Sequence, residues 1–148
     1  MPHFLHTVRS AFVTACTGLT TTGARVYTKR HYPWQPAQLP GLVVTTSSAP
    51  EVVDMGNPPT LQVDPRIDVE IVVSGTGDLA AMLDLITSEV SVALCSLTSV
   101  AGKNVMLMPL AMTAPEFAGE SDPPIARRFI SFQVSPLFVL ANAPDTLV

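Results

Sequence analysis

Leu5, Val8, Phe12, Ala15 and Leu19 recur at steps of three and four, which predicts a helix over residues 4–17 with one apolar stripe. Gly18 follows as a residue able to adopt the left-handed conformation that ends a helix. ARVYTKR, residues 24–30, alternates instead. Val26 and Thr28 fall on one side and Arg25, Tyr27 and Lys29 on the other, as in a half-buried strand. HYPWQPAQLP breaks regular structure through its prolines, and the β-branched GLVVTT, residues 41–46, reads as the next strand. RIDVEIVVS, residues 66–74, has the clearest alternation in the chain: Ile67, Val69, Ile71 and Val73 on one face, Asp68 and Glu70 on the other.

A second helix is predicted within STGDLAAMLDLITSEVSVALCSL, with Thr76 as its N-cap, Asp78 favouring the positive end of the dipole and Gly102 as a stop. Leu79, Met82, Leu83, Ile86, Val90, Ala93, Leu94 and Leu97 form its broad apolar face. Residues 105–112 read as a strand interrupted by Pro109, which suits an edge or a bulge. Residues 125–140 read as one long strand, with Ile130, Phe132 and Val134 on one face and Phe129, Ser131 and Gln133 on the other. The tail ANAPDTLV is expected to fray or to be ordered by a partner. The order α-β-β-β-α-β-β implies an α+β fold: a mixed, mostly antiparallel sheet of about four to five strands with two helices on one face. The 148 residues suit one domain, with long loops near 47–64 and 113–124.

Composition changes this picture in one respect. Charged residues are only 14% of the chain against 47% hydrophobic ones, well under the roughly 25% charged of an average soluble domain. A surface this poor in charge is expected in a subunit partly covered by others, since interface centres are depleted in charge. The formal net charge of -4 argues against general nucleic-acid binding, which needs many Lys and Arg contacts to phosphate. Cys16 and Cys95 fall on or near apolar helix faces and read as buried, reduced thiols. MPHFLHTVRS lacks the basic-then-apolar design of a signal peptide, and no apolar run approaches membrane-spanning length, so a cytoplasmic site of synthesis is expected.

Catalytic chemistry finds little footing. His3, His6 and His31 offer no metal-ligand spacing and no triad pattern, so no metal, cofactor or enzyme activity is expected. SGTGDLA, residues 74–80, has GxG at a strand-to-helix turn without the third glycine and lysine of a phosphate loop. Asp68 and Glu70 point the same way and are conceivable as a carboxylate pair, but a solvated strand face explains them more simply.

The long loops carry more information, because structureless loops of this length in compact domains are usually functional or disordered. The first becomes an extended hairpin arm if Glu51–Asp54 pairs with residues 61–64. Val52, Val53, Met55 and Leu61 would then be available to a neighbouring subunit, and Phe117 is exposed in the second loop.

The opening helix, TTGARVY, the LP before GLVV, RIDVEIVV, DLAAMLDLITSEVSVAL and ARRFISFQV after DPPI, in this order and at this length, resemble small tail terminator and minor tail proteins of long-tailed bacteriophages. The similarity is one of layout and covers nearly the whole chain. It implies a virion protein made in the host cytoplasm and a homo-oligomeric ring, usually a hexamer, at the head-proximal end of the tail tube. The ring's partners would be tail tube protein and the head-tail connector or neck protein.

Within that frame Arg25, Tyr27, Lys29 and Arg30 form a candidate interface or lumen face, where Tyr and Arg suit protein contacts. Arg127 and Arg128 join them if the final strand pairs in the same sheet, and a lumen position would let DNA pass without sequence reading. A solvated strand face explains the basic group equally well. Two other readings stand beside the terminator: a neck or head-completion protein, and a non-viral small ligand-binding α/β domain with a pocket of convergent polar groups.

Overall fold

The computed structural model describes residues 3–29, 35–48, 51–118 and 124–148. Helix α1 (Phe4–Cys16) begins where His3 Nδ1 accepts the Leu5 N–H at 3.2 Å. It buries Phe4, Val8, Phe12 and Cys16, one residue per turn, while Leu5, Ala15 and Leu19 flank the core half-buried. Each fully buried large side chain contributes about 1.5–3 kcal/mol of transfer free energy. Gly18, at φ +90°, opens the turn that follows.

The predicted strand over 24–30 is reduced to β1 (Val26–Tyr27), parallel to β2 (Gly41–Ser47). A Cβ on Gly41 would lie 2.5 Å from the Gln38 carbonyl oxygen of the preceding turn and 3.0 Å from the Tyr27 ring of β1. β3 (Glu51–Asp54) and β4 (Thr60–Val63) form the hairpin arm, and β5 (Arg66–Ser74) has the predicted bounds. Helix α2 (Leu79–Cys95) starts two residues later than Thr76 would have it: Asp78 is the N-cap, and its Oδ1 accepts the Ala81 N–H at 3.1 Å. Asp reaches these donors as well as Thr does and adds charge at the positive end. Gly102 does not stop this helix. With Ala101 it makes the positive-φ turn between β6 (Ser99–Val100) and β7 (Lys103–Asn104).

β8 (Leu107–Met112) is an edge strand with a register shift beside Pro109, as that residue implied. β9 (Glu116–Ala118) lies in the expected second loop. The long final strand is two, β10 (Ile125–Val134) and β11 (Leu137–Leu140), parted at Ser135 and Pro136. The tail is ordered by its own chain: β12 (Ala143–Leu147) pairs with β11.

The fold is α+β. The larger sheet runs β1-β2-β5-β10-β8, with β9 beside β10, and every pairing except β1–β2 is antiparallel. The smaller sheet runs β12-β11-β4-β3. β4 leads into β5 and β11 follows β10, so one antiparallel ribbon passes through both sheets. Leu42, Val44, Ile67, Val69, Ile71, Val73, Ile130 and Phe132 belong to the same buried core as the inner faces of both helices.

Candidate assembly interface

The arm is a short antiparallel hairpin whose strands are joined by residues 55–59. Val52 pairs with Leu61 and Asp54 with Thr60, with a register shift between, and Asp54 Oδ1 accepts the Gly56 N–H at 3.0 Å. Val52 and Val53 are exposed, and Met55 is 83% exposed. Leu61 differs from the expectation: it is half-buried, packs on the core and pairs with Val139 on its other side. The free part of the arm is therefore β3 and its tip. Every residue of β3 is exposed, and among the described residues its outer edge pairs with no strand.

A second uncovered edge lies on the opposite flank of the ribbon. β3 extends from β4, the continuation of β5, whereas β8 sits against β10. Among the described residues the outer edge of β8 is likewise unpaired. Met106, Met108, Leu110 and Met112 are all exposed along it, Met112 at 60%. Between β8 and α2 runs an apolar groove of about 230 Å³, lined by Thr87, Ser91, Pro109, Leu110, Met112 and Ile130 among others. The sequence pattern flagged the arm but not this strand's methionines, because four apolar residues in a row of alternating type look the same buried or bare.

The basic residues do not form one patch. Arg25 is held within its own chain: Nε donates to the Pro40 carbonyl at 2.7 Å and Nη2 to the Thr21 carbonyl at 3.0 Å. Tyr27 donates its hydroxyl to the Gln38 carbonyl at 3.3 Å. Lys29 is exposed, and Arg30 lies outside the described residues. Arg127 and Arg128 do share the sheet with them, but β10 is three strand spacings from β1, roughly 14 Å. They also face opposite ways. Arg128 is buried under α2, donating to Asp84 at 2.7 Å and Thr87 at 3.3 Å. Arg127 lies on the other side, donating to Glu116 at 2.9 Å and standing 3.9 Å from Glu70.

That helix-free face of the sheet corrects the carboxylate reading. Glu70 is buried at 4% exposure rather than solvated. Asp68 accepts from Ser131 at 2.6 Å and from Arg66 at 3.1 Å. Val43, Thr45, Asp68, Glu70 and Phe129 line a cavity of about 240 Å³. Alternation along β5 identified the face; only the neighbouring strands could bury it. Among the described residues no group of three His, Cys, Asp or Glu is placed to hold a metal ion, and no helix is long and apolar enough to cross a membrane. Cys16 is buried as read, but Cys95, at the last turn of α2, is exposed.

No family model matches the chain, and no curated protein matches it. Among solved structures, a chain of the "Virion of native gene transfer agent (GTA) particle" is similar at 18% identity, over 90% of this chain and 91% of that one, with a TM-score of 0.49. Identity and overlap at that level are too low to carry the role of that particle to this chain.

Proposed function

We propose that this chain is a structural virion protein without enzymatic activity: a tail terminator subunit that assembles with its own copies into a ring, a hexamer by the resemblance, at the head-proximal end of a phage tail tube. The observation that carries the reading is a pair of strand edges that, among the described residues, pair with no other strand and expose apolar side chains, β3 with its tip and β8, on opposite flanks of one ribbon. Bare, long, apolar edges invite uncontrolled pairing and are normally blunted by charge. β3 carries Glu51 and Asp54 and β8 carries Pro109, yet both still expose apolar side chains, Val52, Val53 and, at the tip, Met55 on one and Leu110 and Met112 on the other, as expected of a subunit that meets neighbours.

A tail tube is an open heterologous stack and has no intrinsic end. A closed ring that matches the last tube layer on one face and presents a different face above would stop growth and receive the connector. Lys29, Arg30 and Arg127 are the residues to examine for non-specific contact with DNA in the lumen. Arg25 and Arg128 are engaged inside the chain, where the guanidinium is tied to carbonyls in one case and to α2 in the other. A neck or head-completion protein would use the same surfaces against different neighbours. The cavity beside Glu70 favours the small ligand-binding domain as the reading from another class.

The test is the mass of the purified protein by light scattering over a concentration series, negative-stain imaging, and recruitment to tubes of purified tail tube protein. Rings, or binding at tube ends, support the terminator. A monomer at all concentrations that ignores tubes removes it and leaves the ligand-binding domain to be pursued.

A further inference from the structure

We infer that the arm of one copy seats in the α2–β8 groove of the next, with Met55 as the side chain that enters it. The inference deepens the ring reading and rests on it for the presence of a second copy. Four observations on the molecule point to this pairing rather than to arm against arm or groove against groove.

The first is position. The arm and the groove stand on opposite flanks of the β4–β5/β10–β11 ribbon, so they cannot meet within one chain but meet naturally head to tail. The second is that both are uncovered and apolar: Val52, Val53 and Met55 on the arm, Leu110 and Met112 at the groove. One contact of this kind hides both surfaces on every subunit, whereas an isologous contact would leave one of them bare.

The third is size. A space of about 230 Å³ takes one long apolar side chain, since an apolar cavity of about 150 Å³ already holds benzene. Met55 is the most exposed of the arm's apolar residues and sits at its tip, where an unbranched thioether adapts to an irregular slot lined by Pro109, Met112 and Ile130. The fourth is the chemistry of the edge. Val134 turns its N–H to the Pro65 carbonyl on the β5 side, so Gln133 faces β8, and Pro109, one residue beyond Gln133's partner Met108, turns outward. Proline has no N–H to give, so a continuous added strand is interrupted there and side-chain insertion, not ladder extension, does the recognising.

A contact of this kind repeated head to tail closes into a ring when its rotation allows. It is small against the roughly 800 Å² per partner of a stable pairwise interface, so assembly should depend steeply on concentration.

The experiment uses two charge substitutions, Met55→Asp and Met112→Asp, at exposed positions, with thermal melting to establish that each variant is folded. Each variant alone should be monomeric at concentrations where the unmodified chain assembles. Mixed, they should form a dimer and nothing larger, because one supplies an intact groove and the other an intact arm. The mass should therefore double. Met112→Asp alone assembling as the unmodified chain does would overturn the inference, as would a mixture that stays monomeric.

A second pair covers the case of weak assembly. In a Cys95→Ser background, Met55→Cys and Met112→Cys proteins are mixed at high concentration under mild oxidation. A mixed disulfide dimer beyond the amount of either homodimer is expected. Its absence overturns the arm–groove contact. The terminator reading is judged separately, by recruitment of the unmodified chain to tail tubes.

Discussion

Arg128 reaches from β10 to Asp84 of α2, Nη1 to Oδ1, at 2.7 Å. The two ends of this ion pair live in different surroundings: the Arg128 side chain is 10% exposed and that of Asp84 69%. The bond fastens the outer helix to the central strands at a point where the core is otherwise apolar. It also explains why a cation sits among Ala126, Ile130 and Phe132 on the face that packs against the helices.

Removing the acid should therefore matter more than removing the pair. Asp84→Ala leaves the guanidinium with Thr87, and water can partly replace a carboxylate this exposed, so a loss of about 1 kcal/mol is expected. Arg128→Met fills the same space without a charge to desolvate, and should be close to neutral. Urea unfolding of the two variants checks the order. A larger loss in Arg128→Met would mean that the ion pair itself supplies net stability.

Glu89 holds the turn after α1 onto α2. Its Oε1 accepts the Thr21 N–H at 2.9 Å and its Oε2 the Thr21 hydroxyl. Glu89→Ala should lower stability by about 1–2 kcal/mol, because two part-buried donors lose a charged acceptor. Glu89→Gln should restore part of this through its one carbonyl oxygen. Thermal melts of both variants decide the matter, and equal losses would point to helix packing in place of the hydrogen bonds.

The two cysteines should separate cleanly in reactivity. Burial pushes the Cys16 thiol up from 9.0 to about 12, while Cys95 is exposed. A thiol-labelling reagent near neutral pH should modify one thiol rapidly and the second only on unfolding. The pH dependence follows in sign. In the folded state Cys16 keeps its proton above the pH at which the unfolded chain loses it. Its contribution is therefore whole below about pH 9 and is lost as pH rises toward about 12. Cys16→Val should flatten this part of the alkaline stability profile, read by urea unfolding at several pH values.

The arm can be cut without cutting the fold, provided the cut respects β4. A deletion reaching residue 62 would remove the strand that pairs with β11. Replacing residues 51–58 by two glycines leaves β4 in place and removes only residues that are exposed or half-buried. The melting temperature should change by no more than a few degrees, while the oligomeric species should vanish from light scattering. Assembly at the original concentration with the arm gone would show that other surfaces hold the copies together.

Sequence by itself determined the parts whose signal is periodic and local. Phe12 and Val8 mark the buried stripe of α1 and Ile67, Val69, Ile71 and Val73 the buried side of β5, because helices and strands repeat at fixed intervals of side-chain direction, whereas the hairpin at Glu51–Asp54 stood only as one alternative to a long loop. Grouping Arg127 with Arg128 as one basic face ignored the same rule: adjacent strand residues alternate, and the two face opposite sides of the sheet. Where local signals competed, they misled: Thr76 and Asp78 are both good caps, and Cys95 lies near an apolar stripe without being on its buried side.

The tertiary structure alone decided what each face meets. The burial of Glu70 depends on its surroundings in the folded sheet, and Arg128 is covered because α2 crosses above it. Leu61 turned inward because β11 pairs beside it, and the tail became β12 for the same reason. Whether β8 and β3 are edges is likewise a property of pairing order, to which their own residues contribute almost nothing. A strand is an edge when no other strand reaches it, and that is set by the path of the whole chain.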